Sequence, residues 1–586
     1  MAHTSTIRAL AQEWLRLDKD PITRSEIESL LDEGQTSELE KRLGTRIGFG
    51  TAGLRARMQA GFARLNSLTI IQTSQGLAAH LLKTHPGAAE KGIVIGYDAR
   101  HNSKTFAELA AAAFIAKGIK VLWYEDLVHT PMVPYGVKNL GAVAGVMITA
   151  SHNPAQDNGY KVYGANGCQI NSPEDAAIAA SILGNLEPVT WDVRQLQSSP
   201  LMRAVLALMK GKYFQDVCGF VDQYLNATNV PNFVYTPLHG VGLQYMTTAL
   251  EQLRIGNSMT AVQQQAQPDP DFPTVKYPNP EEAGALNLAK ETADKQGVRL
   301  VLSNDPDADR FAVVEKVGDQ WQQFTGDQVG VLLAYYLFSR MSTNGLQHFT
   351  MLNSAVSSQM LAEIAVKEGF RFSETLTGFK WLGNTALALE KAGNTVTFAY
   401  EEALGYMIPN IVHDKDGITA ALLFLCAATQ WGSPWEKLLQ LYEKYGYFYT
   451  LNTYWRSPEV TITKKLFAMI QKLGNPFAMT VGGRQVLRWR DLGNNYDSAT
   501  RDNIPELPAL RDSQMITCWL DGSKLDHGIR FTIRASGTEP KIKIYLECRS
   551  QTQAEARAGA GEIIHYLRQE WFDDPNLTLE EKSLDR

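Results

Sequence analysis

Apolar runs suited to buried strands alternate along the chain with stretches of helical spacing, and the strand runs repeatedly end in glycine or in clustered polar residues. From Gly92 the order is strand (GIVIGYD), loop (Ala99–Ser103), helix (Thr105–Lys117), strand (IKVLWY), a helix-bearing stretch, and the apolar run that ends at Ile148. This alternation predicts a parallel sheet covered by helices. A helical stretch from Pro173 to Lys212, interrupted near Glu187–Trp191, closes the unit, and residues 1 to about 45 read as mostly solvated helix. PNFVYTPLHGVGLQYMTTAL opens a second unit with strand, glycine loop and helix, followed by a surface loop over Gln263–Glu282. It ends in VRLVLSNDPDADRFAVVEK, two strands around an acidic turn. A third unit, Thr325–Tyr445, carries the polar loop Thr375–Lys380 and the strand TVTFAY running into Glu401 and Glu402. After a variable stretch, Pro458–Ser513, two alternating strands flank Arg534–Pro540.

The chain has 586 residues, more than one core can hold, and is 44% hydrophobic and 20% charged, as expected of a soluble multidomain protein. A net charge of −6 gives no electrostatic reason to expect nucleic acid or an anionic membrane. Five scattered cysteines form no C-x-x-C pair, which argues against a zinc knuckle or a disulfide framework and for a reducing compartment. The first residues lack a signal-peptide core, and no apolar run approaches the roughly 20 residues that span a bilayer. A cytoplasmic protein, monomer or homodimer, is expected.

Four stretches carry candidate chemistry. In AVAGVMITASHNPAQDNGYKVYGANG a strand breaks into Thr149–Pro154 before an Asp-Asn-Gly turn, which places Ser151 on a loop at the carboxyl edge of the sheet, where open α/β folds hold ligands. This segment alone is explained more simply by an ordinary turn, in which Ser, His and Asn bond their own backbone. A serine hydrolase fits poorly, because there is no G-x-S-x-G elbow. In DPDADR, Asp305, Asp307 and Asp309 alternate on one tight turn between apolar strands, where without a cation they would repel one another. An EF-hand would need Gly and Glu where Arg310 and Lys316 stand, and Asp309 with Arg310 does not suit a D-x-D-x-T/V phosphatase loop.

In YEEALGY, Glu401 could accept bonds from sugar hydroxyls while Glu402 reads as a helix N-terminal charge. RASGTEP offers Arg534, Ser536, Gly537 and Thr538 as a phosphate cradle, with a plain hairpin loop as the alternative. FGTAGLR adds a glycine turn ending in Arg55 and Arg57.

Taken in order, FGTAGLR, TASHNP, DPDADR, YEEALGY and RASGTEP resemble the α-D-phosphohexomutase superfamily of phosphoglucomutases and phosphomannomutases over roughly residues 45 to 570. Chain length and the EEALGY form look most like its phosphoglucomutase-2 and phosphopentomutase-like branch. The resemblance implies an α/β fold of four domains, three related mixed α/β domains and a C-terminal α+β domain around a central cleft. The expected limits are 1–212, 213–324, 325–457 and 458–586. It further implies a phosphoserine at Ser151 and one Mg²⁺ held by Asp305, Asp307, Asp309 and that phosphate. Arg55, Lys161 and Arg310 would surround the transferring phosphate, with Lys161 the first and His152 the second choice as acid or base. Thr377, Gly378, Lys380, Glu401 and Lys415 would meet the sugar, and Arg534, Ser536, Gly537 and Thr538 the distal phosphate. The implied reaction interconverts sugar 1-phosphates and terminal phosphates, by default those of glucose, with a sugar bisphosphate as primer. Mannose and pentose phosphates are the alternatives by the same mechanism, and a phosphosugar phosphatase is a further one. Many hexose-specific members carry Glu-x-Ser where this chain has Glu401-x-Ala403, and the missing hydroxyl removes a sugar contact worth about 1 kcal/mol. Pentose phosphates are thereby a serious option.

Overall fold

A computed structural model of the chain describes residues 2–341, 345–474, 476–509, 514–522, 528–535, 541–574 and 577–583. They fall into two compact units, Met1–Leu337 with Gly378–Gly432, and Phe338–Thr377 with Ser433–Arg586.

The first unit holds two mixed sheets. One runs Leu54–Arg57, Asp157–Gly164, Ala144–Ile148, Ile93–Tyr97, Val121–Trp123, Met202–Ala204. Its last four strands are parallel, as the alternation predicts, and the first two are antiparallel additions. The helices Ser67–Thr84 and Ser103–Ala116 cover it, burying Ile70, Ile71, Leu77, Phe106 and Phe114 against Ile93, Ile95 and Val146. The other sheet runs Gln320–Gln323, Phe311–Val317, Leu300–Asn304, Phe233–Thr236, Met259–Ala261. The strands flanking the acidic turn form an antiparallel pair, Phe311 opposite Asn304. A hairpin of Thr395–Glu401 and Gly405–Met407 and the helix Gly417–Trp431 belong to the same unit.

Several expectations are corrected. Asp157, Asn158 and Gly159 begin a strand rather than form a turn; Gly159 lies where a Cβ would come within 2.8 Å of the Leu54 carbonyl oxygen, so it is there for the close approach of two strands. The N-terminal helices Ala2–Leu17, Pro21–Asp32 and Thr36–Leu43 are not merely solvated, because Ile7, Trp14, Ile27 and Leu39 form a core of their own with Phe62 and Leu68. The stretch after Pro173 contains the short strand Met202–Ala204, and the helix Leu206–Val221 runs through the expected limit at 212.

The second unit pairs Phe349–Ser354 in parallel with Arg371–Thr375 and contains a largely antiparallel sheet ordered Thr480–Val481, Arg484–Asp491, Met515–Leu520, Ile529–Ala535, Lys541–Ser550, Tyr447–Arg456, Glu580–Ser583. Tyr447–Arg456, expected in the third domain, makes its ladder with Lys541–Ser550 of the C-terminal sheet. The helices Val460–Ile470 and Gln553–Leu567 bury Leu466, Phe467, Ile563 and Ile564 on that sheet.

Candidate active site

Two parallel strand ends in the first unit deliver the loops that matter. Ile93–Tyr97 and Ala144–Ile148 lie side by side and end at the same edge, so residues 98–103 and 149–156 emerge together. In the second sheet, Phe233–Thr236 and Leu300–Asn304 likewise bring 237–241 beside 305–310. The fit is tight: a Cβ on Gly240 would overlap the backbone of Pro306, and Val241 N donates to the Pro306 carbonyl at 2.9 Å.

Ser151 is buried, with φ of 54°, and its Oγ donates to Asp305 Oδ2 at 2.7 Å. His152 Nδ1 is 3.3 Å from the same Oγ. Carboxylate oxygens of Asp305, Asp307 and Asp309 lie within 4.8 Å of one another, and all three side chains are buried. Cations surround them. Lys161 Nζ donates to Asp307 Oδ2 at 2.7 Å and Asp309 Oδ2 at 3.0 Å; Lys415 Nζ is 3.3 Å from Asp309 Oδ2; Arg310 Nε is 4.0 Å from Asp305 and 3.9 Å from Asp309. Arg310 also donates to the Ala403 carbonyl at 2.9 Å, which ties the acidic turn to the hairpin. Thr130 Oγ1, which the sequence did not single out, donates to Asp307 Oδ2 at 2.5 Å.

The charges set the protonation states. Burial, and next the neighbouring carboxylates of Asp307 and Asp309, push the Asp305 carboxyl well above its ordinary range. Burial works against ionised Asp307 too, but the Lys161 ammonium outweighs it and holds that carboxyl far below the usual range. For Lys161 and Lys415, burial alone would lower the pKa, yet the facing carboxylates overcome it and keep both amines charged. His152 is held well below its ordinary value by burial, then by Arg310 and Arg55, so its imidazole is neutral.

The group suits a hard divalent cation. Asp307 Oδ1 and Asp309 Oδ1 are buried without a hydrogen-bond partner, a costly state unless an ion takes them up, and three carboxylates beside a hydroxyl form an all-oxygen donor set of the kind Mg²⁺ prefers.

The other expected residues divide. Arg55, on the exposed face of Leu54–Arg57, reaches the serine loop through Asn153 Oδ1 at 3.3 Å. Glu401 accepts the N–H of Gly378 at 3.0 Å, at the start of the helix Phe379–Lys391, and Lys380 Nζ donates to Thr51 Oγ1 of the glycine turn at 2.5 Å. It is therefore Glu401 that meets a helix N-terminus; Glu402, expected in that role, lies in the turn between the two hairpin strands, where no helix begins. Thr377 and Arg534 belong to the second unit, and Ser536, Gly537 and Thr538 lie outside the described residues. Among the described residues no helix is long and apolar enough to cross a membrane.

Comparison with known proteins places this geometry in a class. Models of phosphoglucomutase/phosphomannomutase match in four consecutive parts: alpha/beta/alpha domain I over residues 46–188, domain II over 211–318, domain III over 325–445, and the C-terminal domain over 521–560. The chain belongs to the phosphoglucomutase/phosphomannomutase family, with its four-domain architecture, and is a phosphosugar mutase, an isomerase. Within the family it falls in the phosphopentomutase branch. It is 45% identical to a probable phosphoribomutase of Schizosaccharomyces pombe over 98% of this chain and 99% of that one. It is 42% identical to the phosphopentomutase of Homo sapiens, over 97% of each chain. To the human glucose 1,6-bisphosphate synthase it is 39% identical, over 93% of this chain and 90% of that one. Among solved structures, a putative phosphomannomutase from Thermus thermophilus superposes with a TM-score of 0.66 at 21% identity, covering 90% of this chain and 99% of that chain.

Proposed function

We propose that the chain interconverts pentose 1-phosphates and pentose 5-phosphates, ribose phosphates first, through a phosphoserine at Ser151. The glucose pair, the default expected from the sequence, gives way to the pentose alternative: relatives 45% and 42% identical along nearly the whole chain carry the names phosphoribomutase and phosphopentomutase, and Ala403 offers no hydroxyl to a hexose. The observation that carries the mechanism is the 2.7 Å bond from Ser151 Oγ to a carboxylate of the buried Asp cluster, ringed by Lys161, Arg310 and Lys415.

Asp305, Asp307 and Asp309, with an oxygen of the Ser151 phosphate, would hold one Mg²⁺. When bound, that ion neutralises phosphoryl charge. In the forward half-reaction the P–Oγ bond of phosphoserine breaks as a new P–O bond forms to the free hydroxyl of the sugar, giving a bisphosphate; that hydroxyl gives its proton to a nearby base and Ser151 Oγ takes one up. After the bisphosphate turns end for end, the sugar O–P bond at its other end breaks as Ser151 Oγ bonds to that phosphorus; Oγ gives up its proton and the freed sugar oxygen takes one, releasing the isomer. Lys161, whose Nζ lies 2.7 Å from Asp307 and 3.0 Å from Asp309, and His152, 3.3 Å from Oγ, are the candidates for the acid and the base. Arg310, Lys161 and Arg55 bind phosphoryl oxygens, Thr377, Gly378, Lys380, Glu401 and Lys415 the sugar, and Arg534, Ser536, Gly537 and Thr538 the distal phosphate. A sugar bisphosphate primes Ser151. The free thiols, four of the five buried, support a reducing, cytoplasmic setting.

The test is a turnover panel of ribose, deoxyribose, glucose and mannose 1-phosphates with Mg²⁺ and the matching bisphosphate. Ribose 1-phosphate is expected to give the highest kcat/KM. A higher value for glucose 1-phosphate would return the assignment to a hexose, and stoichiometric release of inorganic phosphate with no isomer formed would make the protein a phosphatase.

A further inference from the structure

One buried guanidinium holds the whole serine loop. Arg100, 4% exposed, donates through Nη2 to the carbonyls of Ser151 at 2.6 Å and Asn153 at 2.5 Å. Through Nη1 it donates to those of Pro154 at 2.8 Å and Asp157 at 3.1 Å. Four carbonyls within seven residues are thus pinned by one planar fork. The fork is itself fixed. Asp98, also buried, lies 3.5 Å from Arg100 Nε, accepts the Arg100 backbone N–H at 3.0 Å, and is braced by Ser103 Oγ at 2.6 Å. On its other side the ring of Phe272, from the Gln263–Glu282 loop, lies 5.0 Å from the guanidinium carbon. That loop, expected to run over the surface, buries Phe272 against this site.

The loop needs such a brace. Ser151 sits in the left-handed region that L side chains rarely adopt, and such a conformation persists only where its surroundings over-determine it. Two bonds hold the peptide groups on either side of that residue: Thr149 Oγ1 accepts the Ser151 N–H at 2.8 Å, and Arg100 donates to the Ser151 carbonyl. The resulting orientation points Oγ at Asp305. Arg100 donates its hydrogen bonds to the loop carbonyls, and Asp307 of the cluster acts on it only through space, so its effect on the reaction passes chiefly through the loop.

We infer that Arg100 is a positioning residue that aims the Ser151 oxygen for in-line phosphoryl transfer and thereby sets how often the phosphoryl group reaches sugar rather than water. This rests on the phosphoserine reading above. In the competing step a water oxygen bonds to phosphorus as P–Oγ breaks, Ser151 regains its hydroxyl and inorganic phosphate leaves. Lysine keeps the positive charge beside Asp98 but offers a point donor that cannot span four carbonyls.

The experiment compares wild type and Arg100→Lys, each charged with radiolabelled ribose 1,5-bisphosphate, and measures kcat, KM and the ratio of labelled inorganic phosphate to isomer, normalised to labelled Ser151. For Arg100→Lys the expected result is a kcat lower by about 10- to 100-fold, a KM within about twofold of wild type, and a phosphate-to-isomer ratio raised at least about tenfold. A merely structural role would reduce the amount of labelled protein and leave the ratio alone, and an unchanged ratio with unchanged kcat per labelled site overturns the inference. If Arg100→Lys does not fold, the same ratio in Phe272→Leu decides: a rise supports the role and a wild-type value removes it. Absence of label on wild-type Ser151, with Ser151→Ala as blank, would instead refute the phosphoserine reading.

Discussion

Ser151 Oγ donates to Asp305 Oδ2 at 2.7 Å across 154 positions of sequence, while Ser151 itself holds a φ of 54°. A hydroxyl aimed into an acidic cluster from a strained backbone is what a phosphoryl carrier requires, and the two features separate by mutation. Ser151→Ala and Ser151→Gly should both lose turnover by about 10⁴-fold or more, since both remove the oxygen that carries phosphate. Only glycine relieves the backbone, so Ser151→Gly should melt above Ser151→Ala by the equivalent of about 1 kcal/mol. Equal melting temperatures would mean that the surroundings carry no strain at this residue.

Lys161 counterbalances two buried carboxylates at 2.7 and 3.0 Å. Removing one partner of a buried ion pair leaves uncompensated charge, at a cost of about 3–5 kcal/mol. Lys161→Met should therefore melt well below wild type in chelator and regain more stability than wild type does on addition of Mg²⁺, because the ion then supplies the missing positive charge. Equal Mg²⁺-induced shifts for both proteins, followed by scanning calorimetry, would count against a cation at Asp305, Asp307 and Asp309.

What the sequence made legible was whatever a local pattern encodes. A strand that breaks into Thr149–Asn153, and a turn that packs Asp305, Asp307 and Asp309 between two strands, are each read within a dozen residues. Lys161 and Arg310 followed once those loops suggested a family. The sequence does not single out Thr130, Arg100 and Phe272, because their partners lie far along the chain: parallel strand pairing brings Arg100 to the serine loop, while Thr130 meets Asp307 and Phe272 meets Arg100 between two different sheets. GIVIGYDAR did hold a signal in Arg100, a cation directly after a strand at the same sheet edge as Ser151. Asp157–Gly159 departs from the expected turn for a related reason: Asp-Asn-Gly favours turns locally, and the antiparallel ladder with Leu54–Arg57 overrides that preference.

His129 is fully buried, with Nε2 3.1 Å from the Tyr213 hydroxyl and its ring centroid 4.0 Å from that of Tyr245 at a tilt of 44°. Burial, and then the nearby Lys210, hold its pKa well below the ordinary value. The native state therefore stays unprotonated at His129 while the unfolded chain takes up a proton below about pH 6.5. Stability is complete above that value and falls as the pH drops, by up to about 1.4 kcal/mol per pH unit for this one group. Because His80, His152, His239 and His413 are shifted the same way, urea midpoints should drop steeply between pH 7 and 5. His129→Gln should reduce that slope by about one proton. A slope equal to that of wild type would show that His129 titrates alike in both states.

Sugar preference is testable at a single side chain. The Ala403 carbonyl accepts from Arg310 at 2.9 Å, which fixes the backbone of the hairpin turn beside Glu401, so a residue exchanged here changes what its side chain offers without freeing the loop. A serine would restore the hydroxyl found in many hexose-specific members, a hydrogen bond worth about 1 kcal/mol. Ala403→Ser should accordingly raise kcat/KM for glucose 1-phosphate by about fivefold, while kcat/KM for ribose 1-phosphate stays within about twofold of wild type. If both substrates gain equally, the hydroxyl acts on the common phosphate rather than on the sugar. If neither changes, discrimination between pentose and hexose must reside in the residues that close the far end of the substrate.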